Sequence, residues 1–324
     1  MGAGLGPGGE GEPMLDLITL GDSVVDLIIR VEHLPIHSED SQSGILEREA
    51  GGAANLLITA SRLGLRVGLI DRVGRDGEGA LYLQALRGEG VDVSMVRKVD
   101  EPTALCIVLV DAKGGHAYIG LPGATDNLSV GDLDEEYIKA SSSLYVSGYT
   151  LISQRSREAV MRAVEIAEEE GLPIYFDPSP KVRRIESETL RRLISIAEVV
   201  LLNEAELEAI TGTRDPDGAH RLQDSGAEVI VVKRGVSGCL IAWDGELLNI
   251  PAYRVEAIDP TGAGDAFNAA FIYAHLKGWP PEDAGRLANA VGALTTMRIG
   301  AGRRVPTRDE INSFLMERGV GLRI

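Results

Sequence analysis

"EVVLLNEAELEAITGTRDPDGAHRLQDSGAEVIVVKRG", residues 198–235, decides the fold. Its two ends, 198–203 and 228–235, are short apolar runs that read as strands buried on both faces. Between them lie helical patterns at 204–211 and 216–225. The same rhythm extends backwards: "SLYVSG" (143–148) and "PIYFDP" (173–178) read as strands, with helices near 154–170 and 185–196. Strands alternating with helices predict a parallel sheet covered on both faces. Forwards, "GCLIAWDGELLNIPA" reads as a hairpin with "DG" at its turn. Helices follow at 264–277, 281–298 and roughly 307–318.

The N-terminal part is less regular. "LDLITLG" (15–21) and "VVDLIIRVE" (24–32) read as strands, and the polar stretch after them offers few core residues. Residues 51–64 are helical after their glycines, "RVGLIDRVG" (66–74) is a strand, and "GEGALYLQALRGEG" is a helix stopped by glycine. "ALCIVLVD" and "HAYIGL" look like a hairpin joined by "AKGG". The segments near 24–48 and 104–121 break the strand–helix rhythm and are expected to form a small separate sheet, a lid. The expectation is a doubly wound, mainly parallel α/β sheet flanked by helices, with that lid. It forms one domain over 14–320, preceded by a flexible Gly/Pro-rich leader at 1–13.

The 324 residues carry a formal net charge of −17. Such a chain repels a phosphate backbone, which argues against a nucleic-acid partner. No polybasic patch or long apolar run points to a membrane. Cys106 and Cys239 sit in apolar runs without metal-ligand spacing and read as buried thiols in a reducing, cytoplasmic setting.

The chemistry concentrates in "DPTGAGDAF" (259–267). Asp265 at a helix start is ordinarily a group that stabilises the helix dipole. Here Gly262, Ala263 and Gly264 remove side-chain bulk where backbone N–H groups point outward, which makes an anion site. A carboxylate among such amides would repel a bound phosphate, but it is placed to act as a base beside a transferring phosphoryl group. The pair "GK" is absent, so there is no P-loop, and "GRDGEG" (74–79) has the wrong spacing for a dinucleotide fingerprint.

"DPTGAGDAFNAAFI" (259–272) resembles the C-terminal signature of the PfkB (ribokinase-like) carbohydrate kinase family. "AGGAANLLITASRLGLRVGLIDRVG" (50–74) resembles its N-terminal signature, departing at Leu57, where a small residue is usual. The resemblance spans about residues 15–318 and implies ATP-dependent phosphoryl transfer to an alcohol, with Mg²⁺. It makes Asp265 the catalytic base and the amides of Gly262, Ala263 and Gly264 the anion hole. Asp26 matches the aspartate that bonds substrate hydroxyls; without the family it reads as a polar residue on an exposed strand face. Gly51, Gly52 and Asn55 resemble the residues that close around the substrate, and also fit a tight turn before a helix.

Asn203 and Glu206 resemble the family's element for Mg²⁺ and phosphates, Glu206 acting through metal-bound water; the same spacing is a capping box. "KRGVSG" resembles the nucleotide-binding turn, with Lys233, Arg234, Gly235 and Gly238. Gly238 would equally serve a turn between strands. Asn289 matches a helix flanking the adenine, or else faces solvent. Asp259 and Thr261, with the loop at 298–302, are candidates for a K⁺ site. His37 and His116 fall in the lid and are read as surface residues that could reach the substrate. The lid hairpin offers no cation beyond His116, which favours a neutral sugar or polyol as acceptor over a sugar acid or sugar phosphate. A nucleoside is the alternative, with Tyr118 and Tyr149 available for stacking. Homodimerisation through an apolar lid face is a further expectation.

Overall fold

The computed structural model describes residues 14–35, 40–41, 43–111, 115–300 and 302–324. The leader at 1–13, His37, Ala301 and residues 112–114 of the "AKGG" turn lie outside them. The first half of the chain forms β1 (Leu17–Leu20), β2 (Ser23–Val31), β3 (Ser43–Gly52), α1 (Ala53–Leu63), β4 (Val67–Gly74), α2 (Gly77–Gly88), β5 (Val96–Val99), β6 (Ala104–Val110), β7 (His116–Leu121), α3 (Glu135–Lys139), β8 (Leu144–Ser147) and α4 (Gln154–Glu169). The second half forms β9 (Ile174–Asp177), α5 (Ser187–Ile196), β10 (Val199–Asn203), α6 (Glu204–Thr211), α7 (Pro216–Gln223), β11 (Val229–Lys233), β12 (Cys239–Trp243), β13 (Glu246–Ile250), α8 (Ala263–Leu276), α9 (Pro281–Thr296) and α10 (Arg308–Glu317).

The main sheet runs β13-β12-β11-β10-β9-β8-β1-β4-β5. From β5 to β11 every pairing is parallel; β12 and β13 extend the edge antiparallel. Successive strand residues face opposite sides. Val199 and Leu201 enter the core beneath α1, α2, α8, α9 and α10, while Val200 and Leu202 enter the one beneath α4, α5 and α7. That is why β10 is an unbroken apolar run. Strand order reverses at β1 and β8, so the crevice for a ligand lies beyond their carboxyl ends. Among the described residues no helix is long and apolar enough to cross a membrane.

The lid is a second sheet, β3-β2-β6-β7, in which β2 runs parallel to β6 and antiparallel to β3. The polar stretch after β2 thus contains a strand, β3. Its outward positions meet solvent or the cleft, so the apolar alternation that marks a strand is missing. The expected hairpin turn "DG" holds, with Asp244 and Gly245 both left-handed at φ 49 and 74.

The chain passes from main sheet to lid in two residues, Gly21 and Asp22, at φ 74 and 66. It returns through Gly52, at φ 55 directly before α1. A Cβ on Gly52 would sit 2.1 Å from the carbonyl oxygen of Asp22. Both the left-handed backbone and the contact exclude a side chain. Gly52→Ala is therefore expected to cost about 2–4 kcal/mol. Urea unfolding measures it, and an unchanged midpoint would contradict the account.

Candidate active site

Helix α8 starts at the mouth of the crevice. Its first turn is entered through Gly262, left-handed at φ 72, with no side-chain cap. Four N–H groups at a helix start lack intrahelical acceptors. One of them departs from expectation: the Ala263 N–H donates to the Pro260 carbonyl at 3.1 Å. The amides at this helix start that keep no protein acceptor among the described residues are thus those of Gly264 and Asp265.

Asp265 is held by one oxygen. Its Oδ2 accepts from Asn55 Nδ2 at 3.1 Å, and Asn55 Oδ1 accepts from the Gly302 N–H at 2.8 Å. Asn55 therefore bridges α1, α8 and the loop after α9. Burial raises the Asp265 pKa to about 6; Asp177 adds to this, while the Asn55 hydrogen bond and Lys233 work against it.

The lid contributes a second carboxyl. Asp26 is 9% exposed, not on an open strand face, and its carboxyl atoms lie 2.2–2.7 Å from where a Cβ on Gly51 would be. Gly51 is a glycine because Asp26 occupies its side-chain space. No described residue donates to the Asp26 carboxyl, and burial, with Asp265 and Glu49, pushes its pKa up to about 7. Two further groups border this space. Cys106 is only partly buried, contrary to the sequence reading, and burial with Asp26 and Asp22 pushes its thiol up to about 11 while Lys181 acts against it. The Tyr149 ring is 43% exposed at the end of β8. Burial of its hydroxyl, then Asp22, Asp265, Asp177 and Glu206, drive its pKa upward.

Lys233 does not reach out to solvent. Its ammonium lies 2.8 Å from Asp177 Oδ2 and 3.0 Å from Asn268 Oδ1, 3.9 Å from where a Cβ on Gly264 would be. Asn268 Nδ2 donates to the same Asp177 oxygen at 2.6 Å. Burial opposes the Lys233 charge, but Asp177 and Glu206 outweigh it and raise its pKa. Arg234 likewise turns aside, to Asn249 Oδ1. Neither Asp177 nor Asn268 stands out in the sequence: the one is a strand-end aspartate, the other an asparagine in an apolar helix.

Asn203 and Glu206 form the capping box of α6: Asn203 Oδ1 accepts from the Glu206 N–H at 2.9 Å, and Glu206 accepts from Asn203 N and Nδ2, both at 2.7 Å. Glu206 is 3% exposed, and its pKa is raised by burial. The next strand end carries Gly235, left-handed at φ 53 with open space where a side chain would be. Gly238 is a packing position, since a Cβ there would lie 2.0 Å from the Ile250 carbonyl oxygen. Asn289 does not face solvent; it is 7% exposed, and its amide donates to the carbonyls of Ile250 and Pro251, each at 3.2 Å.

Asp259 accepts from the N–H groups of Thr261 and Gly300 at 2.8 and 2.7 Å. The lid reaches it: His116 Nε2 lies 3.1 Å from Asp259 Oδ1, with the His116 side chain only 10% exposed. His116 is thus a half-buried bridge from β7 to the α8 loop rather than an open surface residue. Thr261 Oγ1 is buried without a partner among the described residues.

Comparison with known proteins agrees with this geometry. The model of the pfkB family carbohydrate kinases matches residues 14–308. The chain is 29% identical over 310 residues to a nucleoside kinase of Methanothermobacter thermautotrophicus, covering 94% of this chain and 97% of that one. It is 33% identical over 309 residues to an ATP-dependent ribose-1-phosphate kinase of Halopiger xanaduensis, covering 94% and 99%. A ribokinase II candidate from E. coli, solved with ATP and Mg²⁺, superposes with a TM-score of 0.83 at 27% identity, covering 94% and 100%. With both signature motifs folded onto one crevice and the family match spanning nearly the whole chain, this protein belongs to the PfkB family of carbohydrate kinases, ATP-dependent enzymes that phosphorylate an alcohol group.

Proposed function

We propose that the acceptor is a neutral polyhydroxy compound, a sugar or polyol first and the ribosyl group of a nucleoside second. One observation carries this reading. Asp265 keeps Oδ1 free of any described partner beside the open amides of Gly264 and Asp265, while Asp26 faces it as an unpaired acceptor. Acceptor-only groups bind hydroxyl donors and repel anions.

Asp265 takes the proton of the attacking hydroxyl on Oδ1. The new bond joins that oxygen to the γ-phosphorus, the bond to the bridging oxygen breaks, and ADP leaves. The two amides and the α8 dipole receive the charge that develops on the transferring group. Asn55 keeps the carboxylate aimed, and Asp26 holds a neighbouring hydroxyl. Lys233 offsets the charges of Asp177 and Asp265 from beneath. Glu206 and Asp177 fit a hydrated Mg²⁺: two adjacent buried carboxylates whose remaining lone pairs suit bound water. When bound, Mg²⁺ neutralises phosphate charge. Gly235 leaves room for the nucleotide backbone, and the buried, unpartnered Thr261 Oγ1 beside Asp259 keeps those two residues as candidates for K⁺.

A second reading has its own support. Lys181 is exposed, makes no ion pair among the described residues, and acts electrostatically on Cys106. A sugar phosphate could use that charge. The lid also exposes Leu46, Ile119 and Leu121, which supports self-association through it. Sedimentation should then give a dimer, with Ile119→Asp a monomer.

A coupled assay with neutral sugars, polyols, nucleosides and ribose 1-phosphate is the direct test. A neutral acceptor should be turned over, and Asp265→Asn should lose at least about a hundredfold in kcat while still binding ATP. A preference for ribose 1-phosphate that Lys181→Ala removes would favour the second reading. Because the base must be ionised, kcat/KM should fall about tenfold per pH unit below pH ~6, where Asp265 takes up its proton. A rate flat down to pH 5 would contradict the base assignment.

A further inference from the structure

The turn that joins the two sheets holds a third carboxyl that the mechanism above leaves unused. Asp22 has a left-handed backbone, φ 66, which a residue with a side chain adopts at a cost. Its main chain is fully engaged: the N–H donates to Thr125 Oγ1 at 2.8 Å, and the carbonyl accepts from the Ala53 N–H at 3.0 Å. Its carboxyl is not, since no described residue donates to either oxygen.

Asp71, which accepts from the N–H of the residue after Asp22, Ser23, at 2.8 Å, is the useful contrast. It is fully buried, and its carboxylate accepts from the N–H groups of Ser23 and Arg72 and from Thr125 Oγ1, at 2.7–3.0 Å. That is how this fold treats a structural aspartate. Burial raises the Asp71 pKa only to about 6 against those bonds. Asp22, with none, is pushed well above the carboxylate range by burial and by Asp265, Asp71, Asp26 and Asp126.

The geometry repeats that of Asp26. As Asp26 lies in the side-chain space of Gly51, the Asp22 carboxyl lies 3.0–3.1 Å from where a Cβ on Gly52 would be. Two neighbouring glycines thus each border a carboxyl that has no described donor, and of the carboxylates around Asp22 it is Asp265 that acts on it most strongly. From this we infer that Asp22 is a substrate-positioning residue: it accepts a second acceptor hydroxyl beside the one held by Asp26, so that the site selects compounds with adjacent hydroxyls. This rests on the phosphoryl-acceptor reading above. Unpaired site acceptors discriminate strongly against an analogue that lacks the donor.

The test uses the full chain with Asp22→Asn and Asp22→Gly, two replacements that tolerate the left-handed backbone. The probes are D-ribose, myo-inositol and adenosine, with monodeoxy analogues of whichever is active. Wild type should prefer the parent compound over one monodeoxy analogue by at least tenfold. Both variants should lose that preference, raise the acceptor KM at least tenfold, and leave the ATP KM within about twofold. Without ligand both should melt no lower than wild type, since no protein contact of the carboxyl is lost. Unchanged acceptor KM and preference in variants of an active wild type would overturn the inference alone. A wild type inactive on every probe would count against the acceptor reading. The ligand-free melting then decides for Asp22: lower in both variants means a structural residue, equal or higher supports the inference.

Discussion

The site depends on the absence of two β-carbons. Gly51 and Gly52 close the lid strand β3 onto α1, and the space their side chains would fill is taken by Asp26 and by Asp22 with its carbonyl. With a side chain at either glycine, the lid and the main sheet could not meet at this distance. The N-terminal signature is therefore less a binding loop than a seat. It fixes where β2 crosses the sheet, and so where the acceptor carboxyls stand relative to α8.

Crowding carboxyls in this way is expensive, and the fold distributes the cost unevenly. Asp71 is compensated by three donors and serves the architecture. Asp177 is compensated by Lys233, Asn268 and the Ser179 N–H, which places one buried positive charge beneath the start of α8. Asp265 is half-compensated, with Asn55 on one oxygen and nothing described on the other. Asp26 and Asp22 receive no donor among the described residues. Stability withheld at those positions is what a hydroxyl-rich ligand restores.

The α/β body was legible because its strands are buried on both faces and leave unbroken apolar runs, and because both signatures are local. Residues whose roles depend on partners far along the chain were not legible. Asn55 reads as a substrate contact, and the sequence does not show that it also joins Asp265, 210 positions away, to Gly302. Lys233 looked like a cation for the nucleotide because sequence cannot show that Asp177, 56 positions earlier, captures it. Asp22 was overlooked since an aspartate after glycine at a strand end reads as turn chemistry. The helix start at 262–265 reads as an amide site from its small residues alone. Which of its amides remain free was decided by Pro260, whose carbonyl bends back onto Ala263.

The lid's second anchor explains how substrate contact and base can be linked. β7 carries His116 to Asp259, and Asp259 in turn fixes the amides of Thr261 and Gly300. Thr261 leads directly into the first turn of α8. Gly300 belongs to the loop whose Gly302 holds Asn55, and Asn55 holds Asp265. The loop after α9 therefore ties two routes together, one from the lid through His116 and one from the base through Asn55. A displacement of β7 pulls on the same few hydrogen bonds that aim the carboxylate. If Asp265 is the base, as proposed, an enzyme that must not hydrolyse ATP in the absence of an acceptor gains from this arrangement, because the same contacts that hold the lid in place also aim that carboxylate.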